Sequence, residues 1–213
     1  VAAALTGGVR YLDGGWQQLI DALEAVVVGA GVTVHAGSKA DAVERTSDGL
    51  LVRGAAGDHA ADAVVFAAGG PAAMDALLGG ASKAVARWAV DEQPVLASAL
   101  DLAISALPEP GNRLVLGLDE PIYLSVHTPS AALAPEGGDV VHLLWYGDTD
   151  DDPRAHLEAL MDRAQPGWRD AVVAERYGRR LVVSHGRPRP GQGYAGRPVT
   201  AVPDLSGVYV AGD

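Results

Sequence analysis

The segment Gly207-Val208-Tyr209-Val210-Ala211-Gly212-Asp213 is a short apolar run ending in glycine and aspartate, and it restricts the fold more than any other part of the chain. An apolar strand that delivers Gly-Asp at its carboxyl end is where α/β folds place ligands. The glycine lets a phosphate or sugar approach the backbone, and the acid accepts hydrogen bonds from hydroxyls. Gly212 and Asp213 are therefore candidate cofactor-binding residues. Such a strand is expected to feed a helix whose N-terminus completes an anion site, and no residue follows Asp213 in this sequence. The expectation is that of a piece of a larger protein, binding its cofactor weakly or not at all by itself.

Composition narrows the partners. A chain of 213 residues buries one sizeable core or two smaller ones, and two lobes are expected. A formal charge of -11 argues against nucleic acid and anionic membrane surfaces, both of which need a basic footprint. The absence of cysteine removes disulfides, thiolate metal sites and thiol nucleophiles, and it fits a cytoplasmic protein, free or peripheral to a membrane. No apolar run of about 18 residues is present, so no integral membrane segment is expected. Apolar surface left open where a further unit docks favours self-association or a homo-oligomer.

Periodicity gives the order of elements. Trp16, Leu19, Ile20, Leu23, Val26 and Val27 recur at helical spacing, with Asp13 as cap and Gly31 as stop. Val32–Val34 reads as a strand, and Ala42–Arg45 with Leu50–Arg53 reads as a hairpin turning at Ser47-Asp48-Gly49. Ala61 to Gly70 is an apolar strand ended by glycines, followed by a helix over Ala72–Leu78. From Pro94 the texture changes to short β-like runs at Val95–Leu102, Arg113–Leu118, Ile122–Val126 and Val140–Tyr146. Pro153–Ala164 and Trp168–Tyr177 read as helices, Leu181–Ser184 as extended, and Gly186–Pro198 as a loop. The expected fold class is α/β with α+β character in the centre. Residues 1–92 and the return segment 187–213 form a partial Rossmann-like lobe, and residues 93–186 form an inserted lobe with a mixed or antiparallel sheet.

Two glycine patterns mimic a dinucleotide fingerprint. Val27 to Val34 has a helix before it and a strand after it, the reverse of the required order. Gly191-Gln192-Gly193-Tyr194-Ala195-Gly196 matches GxGxxG, but Pro190 and Arg197-Pro198 exclude the flanking strand and helix. The phosphate-binding βαβ unit is thus absent from the sequence.

The runs YLDGGWQQLIDAL, VTVHAGSKADAVER, ADAVVFAAGGPAAMDALL and GVYVAGD resemble the middle and C-terminal parts of the phytoene desaturase and amine oxidase type of FAD-dependent oxidoreductase. LGLDEPIYLSVHTPSAALAPEGGDVVHLLWY and QPGWRDAVV are further similar to bacterial phytoene dehydrogenase-like members, so the resemblance spans nearly the whole chain. It implies FAD as cofactor, with the backbone at Lys39 and Ala40 against the adenine, Ala67, Ala68 and Gly69 lining the dinucleotide, and Asp213 binding phosphate or ribityl oxygens. It implies hydride transfer from a lipophilic small molecule, a polyene or an amine, to the flavin. In such enzymes the polypeptide need supply no obligatory acid or base, and no catalytic side chain is singled out. The alternative is a ligand-binding or interaction module that keeps this fold without catalysis.

Tyr123, Trp145 and Tyr146 are candidate substrate-lining aromatics on the central strands, and His185 is a candidate because it precedes the loop leading back to the cofactor lobe. The six histidines show no i,i+4 pair and no carboxylate at metal-ligand spacing, so no metal site is expected. No serine stands in a G-x-S-x-G elbow, which argues against serine hydrolase chemistry.

Overall fold

The computed structural model describes residues 11–67, 69–149, 151–187, 190–191 and 197–212. The chain divides into two compact units, Val1–Thr33 with Leu96–Leu181, and Val34–Val95 with Val182–Asp213. The fold is mixed helix and sheet, in keeping with the class expected.

The first unit is built on a five-stranded sheet. Helix α1, Trp16–Gly29, precedes it in sequence. The strands of this sheet include β5 (Val95–Ile104), β6 (Leu114–Leu116), β7 (Ile122–Val126), β8 (Asp139–Tyr146) and β9 (Val172–Ser184), ordered β6-β7-β8-β5-β9. The pairs β6–β7, β7–β8 and β5–β8 are antiparallel. Strand alternation sends Leu100, Leu102 and Ile104 of β5, Ile122, Leu124 and Val126 of β7, and Val141 and Leu143 of β8 into one core. There they meet Leu157, Leu160 and Met161 of the helix Arg154–Ala164 and the indole of Trp168. The opposite face carries Asp101, Tyr123, His142, Leu144 and Tyr146, as the registers Asp101↔His142 and Tyr123↔Leu144 require.

The second unit holds two smaller sheets. Strands β1 (Ala40–Thr46), β2 (Gly49–Gly54) and β3 (His59–Ala61) form an antiparallel meander whose first hairpin turns at Ser47 and Asp48, as the turn residues predict. Strand β4 (Val64–Phe66) pairs in parallel with β10 (Val208–Val210). Helices α2 (Gly70–Leu78) and α3 (Lys83–Asp91) complete the unit, and Arg154–Ala164 of the first unit is α4. Val43, Leu50, Phe66, Met74, Leu78, Val85, Val202, Leu205 and Val208 make its core.

Several elements differ from the sequence reading, each for a local reason. Residues 11–33 group with the five-stranded sheet and not with residues 34–92. The Asp13 carboxylate accepts from the Ala132 amide at 2.8 Å and the Gly14 amide donates to the Ala132 carbonyl at 2.8 Å. Asp13 is thereby taken up by a distant loop, and α1 starts at Gly15 with no side-chain cap. Val32–Val34 forms no strand: Val32 donates to Val27 as the tail of the helix, and both valines stay half exposed. Trp168–Tyr177 is not a helix but a 3-10 turn over Trp168–Ala171 followed by β9, where the ladder to β5 overrides a weak helical preference. Helix α3, which the sequence reading passes over, is announced by Ser82, a strong N-cap whose Oγ accepts from the Val85 amide at 3.1 Å.

Candidate functional site

Strands β4 and β10 are more than 140 residues apart in sequence, yet they lie side by side with Val64, Val65 and Phe66 opposite Val208, Tyr209 and Val210. The Val64 amide donates to the Gly207 carbonyl and the Ala211 amide to the Phe66 carbonyl, each at 2.8 Å. Gly207 permits this approach: its φ of 80° and a Cβ placed only 2.9 Å from the Asp62 carbonyl oxygen exclude other residues. In-register parallel pairing brings both carboxyl ends to the same level, the position at which open α/β sheets bind ligands.

A cleft of about 330 Å³ opens there, within the range of roughly 300–1,000 Å³ typical of small-molecule sites. Its walls include Ala67, Gly69, Met74, His185, Thr200 and Gly212. Gly212 has a φ of 133°, and among the described residues nothing lies within 4 Å of where a Cβ would stand, which leaves its backbone accessible to a ligand. Gly69, with φ 85°, caps α2, and Pro71 sits in the first turn.

A hydrogen-bonded chain closes one side of this cleft. The Glu92 carboxylate, with a side chain 10% exposed, takes Nδ1 of His185 on Oε1 at 2.7 Å and accepts the Ala72 amide on Oε2 at 3.1 Å. Gly70 makes room for the pair: a Cβ at that position would overlap His185 Nδ1 and stand 2.7 Å from Glu92 Oε1. A parallel bridge between Gln93 and Gly186, with the Arg187 amide donating to Gln93, holds the two partners in register.

The structure therefore brings Ala67, Gly69, His185 and Gly212 together in one cleft. Ala68 and Asp213 lie outside the described residues. Lys39 and Ala40 stand at the start of β1 opposite Gly54 and Ala55 and are not among the cleft's lining. In the first unit, alternation separates the three aromatics expected to act together. Tyr123 and Tyr146 share the open face, where burial and the neighbouring Tyr123 raise the Tyr146 hydroxyl above its ordinary value. Trp145 turns to the other face and packs against the core and His156.

The same open face carries a polar network that local spacing does not reveal. Asp101 on β5 accepts from His142 on β8 at 2.7 Å and from Arg176 on β9 at 2.6 and 3.0 Å. The hydrogen bond to His142, then that to Arg176, holds the Asp101 carboxyl below the usual carboxylate range. The His127 ring stacks on His142 with centroids 4.2 Å apart, and burial and the neighbouring His142 push it below the usual histidine value. Each partner is a strand away in space but tens of residues away in sequence. Among the described residues no group of three or more histidines, cysteines and carboxylates is arranged to hold a metal, and no helix is long and apolar enough to cross a membrane.

Comparison with known proteins agrees with this architecture. The chain is similar in structure to an oxidoreductase from Methanosarcina mazei, with TM-score 0.69 and 22% identity over 94% of this chain and 49% of that one. It is also similar to a UDP-galactopyranose mutase, with TM-score 0.62 and 14% identity over 81% of this chain and 40% of that one. A third likeness is to glycine oxidase from Geobacillus kaustophilus, with TM-score 0.53 and 20% identity over 90% of this chain and 46% of that one. The chain thus spans about half the length of these structures. No curated protein sequence matches it. The profile described as "Flavin containing amine oxidoreductase" matches residues 3–213, nearly the whole chain, and the protein belongs to that family, whose cofactor is FAD.

Proposed function

We propose that this chain forms the substrate lobe and part of the cofactor lobe of a flavin-dependent dehydrogenase, desaturase or oxidase of the phytoene dehydrogenase-like kind, acting on a lipophilic small molecule. The observation that carries the reading is the cleft at the paired ends of β4 and β10, walled by Ala67, Gly69 and Gly212. A dinucleotide cofactor needs close backbone approach, and the vacant Cβ position at Gly212 provides it. When bound, FAD supplies the redox chemistry by accepting a hydride from a substrate carbon. The chain's own residues admit the cofactor and order it against the paired strand ends.

The lipophilic substrate is supported by the open face of the five-stranded sheet, where Tyr123, Leu144 and Ala99 form a row across three strands with Tyr146 beside them. That row offers apolar and aromatic area beside the Asp101–His142–Arg176 network, which suits a polyene or an amine with a long apolar body. The test is an amide-resolved NMR titration of the chain with FAD, which detects weak binding. Saturable shifts at Ala67, Gly69 and Gly212, lost in Gly212→Val with the remaining spectrum unchanged, are expected. Saturable shifts confined to residues outside the cleft overturn the reading.

A further inference from the structure

Two residues along each strand from the row of Tyr123, Leu144 and Ala99, the open face of the five-stranded sheet carries a second, polar row. Ser125 on β7 stands opposite His142 on β8, and His142 stands opposite Asp101 on β5. Alternation puts Ser125 on this face, because Ile122, Leu124 and Val126 take the core side of β7. Asp101 has both carboxylate oxygens engaged, Oδ1 with Nδ1 of His142 at 2.7 Å and Oδ2 with the Arg176 guanidinium at 2.6 and 3.0 Å. Its carboxyl is held below the usual range, so Asp101 is the acceptor and the Nδ1 of His142 carries the hydrogen.

The two nitrogens of an imidazole lie on opposite edges of the ring, so Nε2 of His142 points away from Asp101, and among the described residues it has no partner. The side chain is 28% exposed, and in the neutral ring Nε2 accepts a hydrogen bond. An apolar group laid over this nitrogen would remove its water and return no bond. An ammonium group would find Asp101 already engaged and the Arg176 cation beside it. A hydroxyl group meets neither obstacle: it donates to Nε2, and its oxygen can accept from the Ser125 hydroxyl. Resting on the reading that a lipophilic substrate lies on this face, we propose that the substrate carries an uncharged hydroxyl on its apolar body, received by His142 Nε2 and Ser125, with Asp101 as positioning residue.

The probes are 1-octanol, its methyl ether, which accepts hydrogen bonds but donates none, and octylammonium, each titrated into the chain at pH 8 and followed by amide and imidazole 15N shifts. All three are expected to move the amides of Tyr123 and Leu144 through the shared alkyl chain. 1-Octanol alone is expected to move His142 Nε2 and the Ser125 amide, and to bind about tenfold more tightly than the ether, the worth of one hydrogen bond. Octylammonium should bind no more tightly than the ether. His142→Phe should bring 1-octanol down to the affinity of the ether. Asp101→Leu should shift the His142 ring nitrogens away from the Nδ1–H pattern and weaken 1-octanol while leaving the ether unchanged, a split that general loosening of the sheet does not produce. Equal affinity for 1-octanol and the ether with His142 Nε2 unmoved, or tighter binding of octylammonium, overturns the inference and leaves the substrate reading standing. Saturable shifts by all three probes confined to residues outside this face overturn the substrate reading, and the inference with it.

Discussion

Asp204 secures the start of α3 from 122 residues away: its Oδ1 accepts from the Ser82 hydroxyl at 2.6 Å, and its Oδ2 accepts from the amides of Lys83 at 2.8 Å and Ala84 at 3.2 Å. Ser82 is fully buried and in turn caps the Val85 amide. Three of the helix's orphan N–H groups are thus satisfied by two side chains, and the hydrogen bond from Ser82 holds the Asp204 carboxyl below the usual range. The contact ties the return segment to the second unit's helices.

Ser82→Ala should therefore lower the unfolding free energy by about 1–2 kcal/mol, the usual cost of losing a cap. Asp204→Asn should move the urea midpoint in the same direction, and the double variant should lose less than the sum of the two, because both remove one network. Urea denaturation of the four proteins measures this; full additivity would contradict a shared cap.

Gln165 is the second buried polar anchor. Its side chain is fully buried, its amide donates to the carbonyls of Glu109 at 2.9 Å and Asn112 at 2.8 Å, and its oxygen accepts from the Glu109 amide at 2.8 Å. Gln165→Leu leaves three backbone groups without these partners and should cost about 2–3 kcal/mol. Gln165→Glu should cost more, since it loses both donors and buries a charge. Limited proteolysis should show new cleavage between residues 108 and 113 in both variants before any global unfolding.

Acid should destabilise the first unit in two stages. The folded-state pKa values of His127 and Asp101 are both below their ordinary values, so the unfolded chain binds more protons and stability falls as pH falls. For His127 the loss begins below the ordinary value of 6.5, and for Asp101 below 3.8. His127 faces the rings of Tyr11 and His142, and its Nε2 is buried without a partner, so protonation there has no compensating acceptor. His127→Phe should abolish the decline between pH 7 and 5 while leaving the decline below pH 4. Thermal melts across this range decide it: an unchanged upper stage in His127→Phe would assign it to another group.

What could be read from the chain follows from how far apart the interacting residues are. The two apolar runs at Ala61–Gly70 and Gly207–Ala211 are visible because glycines bound them, and the hairpin at Ser47 because turn chemistry is local. That the two runs pair with each other is a property of the register across more than 140 residues, which no local pattern encodes. The same distance hides Glu92 from His185 and Asp101 from His142, 93 and 41 residues apart. Trp145 and Tyr146 show the opposite case: their adjacency in a strand already dictates opposite faces, and the alternation of β8 carries that out. β9 was hidden because Ala174, Glu175 and Arg176 suit a helix by propensity, whereas the unpaired edge of β5 decides the matter.

Gly70 offers the sharpest test of the cleft. It has φ 67° in the first turn of α2, where a side chain is strained by about 1–3 kcal/mol, and the added methyl would also collide with the Glu92–His185 pair. Gly70→Ala should lower the melting temperature, and it should separate His185 from Glu92, seen as loss of the Nδ1–H pattern in imidazole 15N shifts. Gly80→Ala is the control: its φ of 75° imposes similar backbone strain, but nothing lies within 4 Å of the new Cβ. Gly80→Ala should reproduce the loss of stability and leave His185 unchanged. If both variants disturb His185 alike, the imidazole is responding to general loosening of α2 and not to the space that Gly70 leaves.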